Sequence, residues 1–254
     1  MEERFRYINN GFEGILYRAK RKDDRLLIVV QGLKGLELPS KYAALFAGKG
    51  YSTLAMSYYG GEGQKKGMRA IPLEQFQAAC DEMKRLGFNR IGIYGNSKGA
   101  GRPGEDPCKA MVSFNGRDFP YVKKERLLSA FIKRCVREHN IKLLYFFDEW
   151  DIKGTAGNEI PVERINGDIL FLTSTHDESV PAKRDAELLV KRLQRSGFKH
   201  GFRHINSETG SHNLGYFPVN NNMLPREKKY PEECQKAREE TLAIILNTLE
   251  KWSI

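Results

Sequence analysis

The stretch that most constrains this chain is Ile91-Gly92-Ile93-Tyr94-Gly95-Asn96-Ser97-Lys98-Gly99-Ala100. An apolar run ends in Gly-x-Ser-x-Gly, with Ser97 at its centre. The pattern predicts a strand, a sharp turn that presents a serine, and the start of a helix, the arrangement called a nucleophile elbow. A serine held in a strained turn needs small neighbours, and Gly95 and Gly99 leave room for strand and helix to approach. Gly and Ser are common residues, so the five-residue pattern alone is also compatible with a non-catalytic glycine-rich turn. Its place after a strand-like run, with partners downstream in order, gives it weight.

Around this stretch, strand and helix patterns alternate. Residues 11–19 read as an early strand. Leu26 to Val30 is a continuous apolar run, as expected of a strand buried on both faces. It leads into the glycine-rich loop Gln31-Gly32-Leu33-Lys34-Gly35. Pro39 to Lys49 reads as a helix, Tyr51 to Tyr58 as a strand and Leu73 to Leu86 as a helix ending at Gly87. Lys109 to Phe114 and Asp168 to Thr173 read as strands, Ala182 to Ser196 as a helix, Phe202 to Ile205 as a short strand and Thr241 to Trp252 as the last helix. The rhythm predicts an α/β domain: a mostly parallel central sheet flanked by helices. Residues 117–165 break it, with an amphipathic segment and the aromatic run Leu143-Leu144-Tyr145-Phe146-Phe147. They are expected to form a small cap over the carboxyl ends of the strands, where sites of open α/β sheets lie. The whole of 1–254 reads as one domain.

Composition narrows the classes. No apolar run approaches a membrane span, and the first residues lack the apolar core of a signal peptide. Four scattered cysteines (Cys80, Cys108, Cys135, Cys234) form no CxxC pair, which fits reduced thiols and a cytoplasmic location. The net charge is +10, but the lysines and arginines are spread along helices, as at Lys191-Arg192 and Arg195. Solvated helix faces explain that distribution, and attraction of a polyanionic substrate such as a coenzyme A thioester is the sharper alternative. No nucleic-acid motif accompanies the charge.

A serine hydroxyl attacks only when a base removes its proton, and that base needs a carboxylate to fix its tautomer. In the elbow-bearing folds the order is serine, acid, histidine. After Ser97, the strand Ile169 to Thr173 runs into Ser174-Thr175-His176-Asp177-Glu178, which puts Asp177 where the acid belongs. The next strand runs into Gly210-Ser211-His212-Asn213-Leu214, a loop suited to the histidine. Asp177 is also a candidate helix N-cap before Pro181. Glu178 and Asp168 compete as the acid. His204 lies inside a strand, His176 adjoins the acid, and His139 and His200 sit near helix ends. An oxyanion hole would use the backbone N–H groups of Lys98 and Leu33. The Gly32–Gly35 loop lacks the Gly-Lys-Ser/Thr ending of a phosphate loop.

Taken together, Ile71-Pro72-Leu73-Glu74, Ile93-Tyr94-Gly95-Asn96-Ser97-Lys98-Gly99-Ala100, Ile160 to Leu170 and Gly210-Ser211-His212-Asn213-Leu214 resemble the acyl-CoA thioester hydrolase / bile-acid-CoA:amino acid N-acyltransferase family. The likeness is to its C-terminal α/β-hydrolase domain, from about Gly11 to Trp252. The resemblance implies an α/β-hydrolase fold, a Ser97–Asp177–His212 triad and an acyl thioester or ester substrate. Serine at position 97 is similar to the hydrolysing members, whereas the aminoacyl-transferring members typically carry cysteine. No metal or cofactor is implied, and coenzyme A enters only as part of the substrate. Two features depart from the family pattern. Leu33 and Lys34 are bulkier and more basic than usual in the oxyanion loop. Gly101-Arg102-Pro103-Gly104 replaces a long apolar helix, and its proline and glycines allow about one helical turn at most. The expectation is therefore a serine hydrolase working through an acyl-Ser97 intermediate. The alternatives are an acyltransferase with an amine acceptor and a non-catalytic binding protein of the same fold. Oligomeric state is not legible.

Overall fold

The computed structural model describes residues 2–20, 23–67, 71–72, 74–96, 110–114, 162–215 and 224–252, the strand at 110–114 by its backbone. The strands are β1 (Glu2–Phe5), β2 (Glu13–Tyr17), β3 (Arg25–Val30), β4 (Thr53–Ser57), β5 (Arg90–Asn96), β6 (Ala110–Phe114), β7 (Asp168–Ser174) and β8 (Phe202–Ser207). They form one eight-stranded sheet in the order β1-β2-β4-β3-β5-β6-β7-β8. β1 and β2 pair antiparallel, β2 pairs antiparallel with β4, and the other pairings are parallel.

The helices are α1 (Tyr7–Asn10), α2 (Glu37–Gly48), α3 (Glu74–Arg85), α4 (Ala182–Arg195), α5 (Pro225–Lys229) and α6 (Pro231–Lys251). All six residues of β3 are buried, and the last five, Leu26 to Val30, are its unbroken apolar run. Leu26, Ile28 and Val30 meet Phe76, Ala79 and Met83 of α3. Leu27 and Val29 belong to the opposite layer, with Tyr42 and Phe46 of α2 and Ile245 and Leu249 of α6. Ile169 and Phe171 of β7 pack on Ala186, Leu189 and Leu193 of α4. Ile93 and Ile169 are in register through Met111, so α3 and α4 share one face while α2 and α6 share the other. Each such aliphatic side chain stabilises the fold by about 1.5–3 kcal/mol relative to an exposed one.

Four elements differ from the sequence expectation, the one-turn helix α1 (Tyr7–Asn10) among them. β1 adds a strand, but its burial runs exposed, exposed, exposed, buried, so only Phe5 signals it. The short helix α5 is new. α6 begins at Pro231, ten residues before the expected Thr241. Its early buried positions are Cys234, Ala237 and Arg238, which are small or charged and hide the helical period. Of the expected cap, residues 117–161 lie outside the described residues. Val162 and Ile165 are described and pack on α4 in the core.

Strand order places the site. The chain passes from β3 to β4 on one side, then returns to β5 on the other side of β3. The crevice at the carboxyl ends of β3 and β5 is thus a topological switch point. Val30 pairs with Gly95, and Ser174 with Ser207, so the loops after β3, β5, β7 and β8 leave from one edge.

Candidate active site

β7 ends at Ser174, and the chain turns at once. The Thr175 N–H still donates to the Ser207 carbonyl (3.0 Å), and the Asp177 N–H turns back to the Ser174 carbonyl (3.3 Å). Asp177 Oδ1 accepts the backbone N–H groups of Ser179 (2.8 Å) and Val180 (2.9 Å). This is an Asx-type turn, in which the side chain fixes its own loop. The helix-cap alternative fails: Pro181 is the N-cap residue of α4 and no side chain bonds the helix end there.

β8 ends at Ser207. Gly210 donates its N–H to Ser207 Oγ (3.0 Å), and His212 opens the short 3₁₀ turn His212–Gly215. A Cβ on Gly210 would lie 2.7 Å from Leu214 Cδ1, so a larger residue there would push the end of the Leu214 side chain aside. His212 Nδ1 sits 2.9 Å from Asp177 Oδ1 and 3.0 Å from Oδ2. The side chains are 8 % and 2 % exposed, so the bond is shielded from water. An ionised carboxylate only accepts, so a neutral His212 carries its proton on Nδ1 and its lone pair on Nε2. That tautomer suits a general base.

Behind the histidine lies a second polar layer. Ser211 Oγ donates to Glu227 Oε1 and accepts the Asn213 N–H (3.0 Å). Arg238 Nη1 donates to Glu227 Oε2 (2.6 Å), and both side chains are almost fully buried. Arg226 donates its backbone N–H to Glu178 Oε1 (2.7 Å). Its guanidinium reaches the carbonyls of Gly210 (2.9 Å) and Thr209 (3.0 Å). Burial pushes the Glu178 carboxyl up from its ordinary value against the lowering by the Arg226 N–H, and the negative charge of Asp177 adds a smaller rise. None of these supporting residues was singled out from the sequence except Glu178. Glu227 and Arg238 lie eleven residues apart in a charge-rich run that looks like an ordinary solvated face.

The other candidates separate cleanly. Asp168 accepts the Gly201 N–H (2.8 Å) at the amino end of β7, away from the site. His204 lies 2.7 Å from Thr173 Oγ1, and burial lowers its pKa, so it is a structural residue of the sheet. His176 and His200 are exposed. Ser97, Lys98 and the Gly101–Pro107 segment lie outside the described residues, as does His139. Asn96, the residue before Ser97, is described and fully buried.

Leu33 is 50 % exposed on the loop after β3. Tyr59 pins that loop by donating its hydroxyl to the Gly32 carbonyl (3.0 Å) and accepting the Gly35 N–H at its own carbonyl (3.4 Å). Gln31 and Asn96, at the ends of adjacent strands, bury their side-chain amides completely, and among the described residues neither amide has a hydrogen-bond partner. Among the described residues no group of three histidine, cysteine or acidic side chains is arranged to hold a metal. No helix there is long and apolar enough to cross a membrane.

The sheet order, the flanking helices and the clustered carboxyl-end loops define an α/β-hydrolase fold. Solved structures share it. A dienelactone hydrolase-like promiscuous phosphotriesterase from metagenomic libraries superposes with a TM-score of 0.62 at 13% identity, covering 99% of this chain and 98% of that one. The monoacylglycerol lipase of Paleococcus ferrophilus superposes with a TM-score of 0.58 at 17% identity, covering 95% and 99%.

The particular family comes from the sequence. The family model described as BAAT / Acyl-CoA thioester hydrolase C terminal matches residues 71–228, more than half of the chain, and the chain belongs to that family. Relatives include the mouse peroxisomal succinyl-coenzyme A thioesterase, 28% identical over 67% of this chain and 44% of the relative. The mouse acyl-coenzyme A amino acid N-acyltransferase 2 is 27% identical over 63% of this chain and 42% of the relative. The matched region is thus less than half the length of these relatives.

Proposed function

We propose that this chain hydrolyses acyl thioesters of the acyl-CoA type, or carboxylic esters, through an acyl-Ser97 intermediate. The observation that supports this reading best is the buried His212–Asp177 pair at the ends of β7 and β8, on the edge where β5 leads into Ser97. His212 Nε2 takes the Ser97 hydroxyl proton as Oγ attacks the acyl carbonyl. Asp177 holds the ring tautomer and stabilises the imidazolium. The N–H groups of Lys98 and Leu33 receive the oxyanion. Collapse of the tetrahedral species expels the thiol or alcohol, which takes the proton from His212. Water then attacks the acyl-serine with His212 again as base, releasing the acid and restoring Ser97. No metal enters the scheme, and coenzyme A is part of the substrate.

A second reading follows from the relatives named N-acyltransferases: an amine replaces water in the second half. The scattered cysteines without a CxxC pair support a cytoplasmic location, although one relative is named peroxisomal and another mitochondrial; imaging a tagged chain checks this.

The experiment is fluorophosphonate labelling followed by peptide mass mapping, then assays on acyl-CoA thioesters and p-nitrophenyl esters. Labelling at Ser97 with thioester cleavage is expected. A folded protein without a Ser97 adduct would overturn the mechanism, and cleavage of oxygen esters alone would remove the thioester. Faster loss of thioester on adding glycine or taurine, with amide product, would select the transferase.

A further inference from the structure

The two loops that carry Asp177 and His212 are separate in sequence, yet both are tied to one dipeptide, Arg226-Glu227, in α5. The Arg226 backbone N–H donates to Glu178 Oε1 (2.7 Å), one residue from Asp177. The Arg226 guanidinium donates to the carbonyls of Thr209 (3.0 Å) and Gly210 (2.9 Å), on the approach to His212. The Glu227 carboxylate accepts the Ser211 hydroxyl and the Arg238 guanidinium, which anchors it to α6. Ser211 in turn accepts the Asn213 N–H (3.0 Å), so its oxygen bridges Glu227 to the backbone on the far side of His212.

We propose that Arg226-Glu227 is a positioning clamp that fixes the Asp177–His212 hydrogen bond, acting on the histidine loop through Ser211. The proposal rests on the reading of Asp177 and His212 as the acid–base pair. Its physical reason is directional. Thr209, Gly210 and Ser211 are turn residues without ladder partners of their own, so the loop needs fixed donors and acceptors to hold one geometry. A buried carboxylate neutralised by Arg238 is a rigid acceptor in a low-dielectric setting, where a charge-assisted bond is stronger than a neutral one. A loop displaced by about 1 Å loses in-line proton transfer, an effect of about a hundredfold in rate.

Replacing Glu227 outright leaves Arg238 buried without its partner and risks unfolding. Ser211→Ala is therefore the decisive variant, because it keeps the ion pair and removes only the link to the loop. Three quantities are read on the full chain: melting temperature, kcat and KM on the best thioester substrate, and the downfield proton resonance of the His212 Nδ1–H, recorded without substrate. The expected result is a folded Ser211→Ala protein whose kcat falls about ten- to a hundredfold with KM little changed. Its downfield proton is broadened or lost, and Ser211→Thr, which keeps the hydroxyl, recovers it. A Ser211→Ala protein with wild-type kcat and a sharp downfield proton would overturn the clamp. So would a Ser211→Thr protein that folds but behaves like the alanine variant. The resonance does not depend on Ser97: a wild type that cleaves no ester, with the resonance still lost in Ser211→Ala, sinks the hydrolase reading and leaves the clamp standing.

Discussion

The two halves of the carboxyl edge of the sheet are built differently. At the ends of β7 and β8, the carboxylates of Asp177 and Glu227 are met by backbone N–H groups, His212, Ser211 and Arg238. At the ends of β3 and β5, the amides of Gln31 and Asn96 are just as buried, yet neither has a hydrogen-bond partner among the described residues. A buried polar group left unpaired costs about 1–3 kcal/mol. The half that carries Asp177 and His212 is therefore held mostly by its own contacts, with only Glu178 Oε2 and Ser179 Oγ of its β7 loop buried without a hydrogen-bond partner among the described residues. The half next to Ser97 carries a polar surplus that the strands themselves do not satisfy. Proteins accept such a surplus where a site must stay polar and close to its ligand.

The largest expected effect lies in the self-supporting half. Asp177→Asn puts an amide donor against His212 Nδ1 and selects the wrong tautomer, which should lower kcat by about a thousand- to ten-thousandfold without unfolding the protein. A loss below tenfold would mean that the pair does not serve catalysis. Next, Glu227→Leu strands Arg238 in the interior and should lower unfolding free energy by about 3–5 kcal/mol, measured in urea. The double change Glu227→Leu with Arg238→Met should recover most of it, and a failure to recover would point to a role beyond the ion pair.

In the other half the sign reverses. Gln31→Met removes an unpaired amide at similar volume and should stabilise the fold by about 1–3 kcal/mol. A destabilised variant would show that Gln31 is hydrogen-bonded in the folded protein and would dissolve the contrast. The smallest effect concerns His204, on β8 near Lys183 and Glu187. Burial lowers its pKa from 6.5 in the fold, so the neutral ring stabilises the protein above that pH, and this contribution is lost as pH falls through the folded value. The wild type should therefore lose stability more steeply than His204→Gln on acidification below about 6.5. Parallel pH profiles would place His204 in contact with water.

Much of this layout was legible in the sequence because strong periods carry it. The β3 run, the α4 spacing of Ala182, Ala186, Leu189 and Leu193, and the Gly-rich ends of strands all announce a parallel sheet and its loops. Asp177 and His212 stood out because each follows a strand in the required order. What did not show was support made of charge. Arg226, Glu227 and Arg238 occur in the run Pro225 to Glu240, where buried and exposed charges look alike until the fold brings Glu227 under Ser211. Likewise Gln31 and Asn96 read as loop-edge polar residues, and only complete burial makes them unusual. β1 was missed because an edge strand with one buried residue has no period.

The central claim is that His212, fixed by Asp177, activates Ser97 for acyl transfer. The most direct measurement is intact-protein mass spectrometry after rapid mixing with an acyl-CoA thioester and acid quench, with peptide mapping of the adduct. The account predicts a mass gain of one acyl group on Ser97 in the wild type and none on the same timescale in a folded His212→Ala variant. Thioester cleavage with no acyl-Ser97, or equal acylation of the His212→Ala protein, would contradict it.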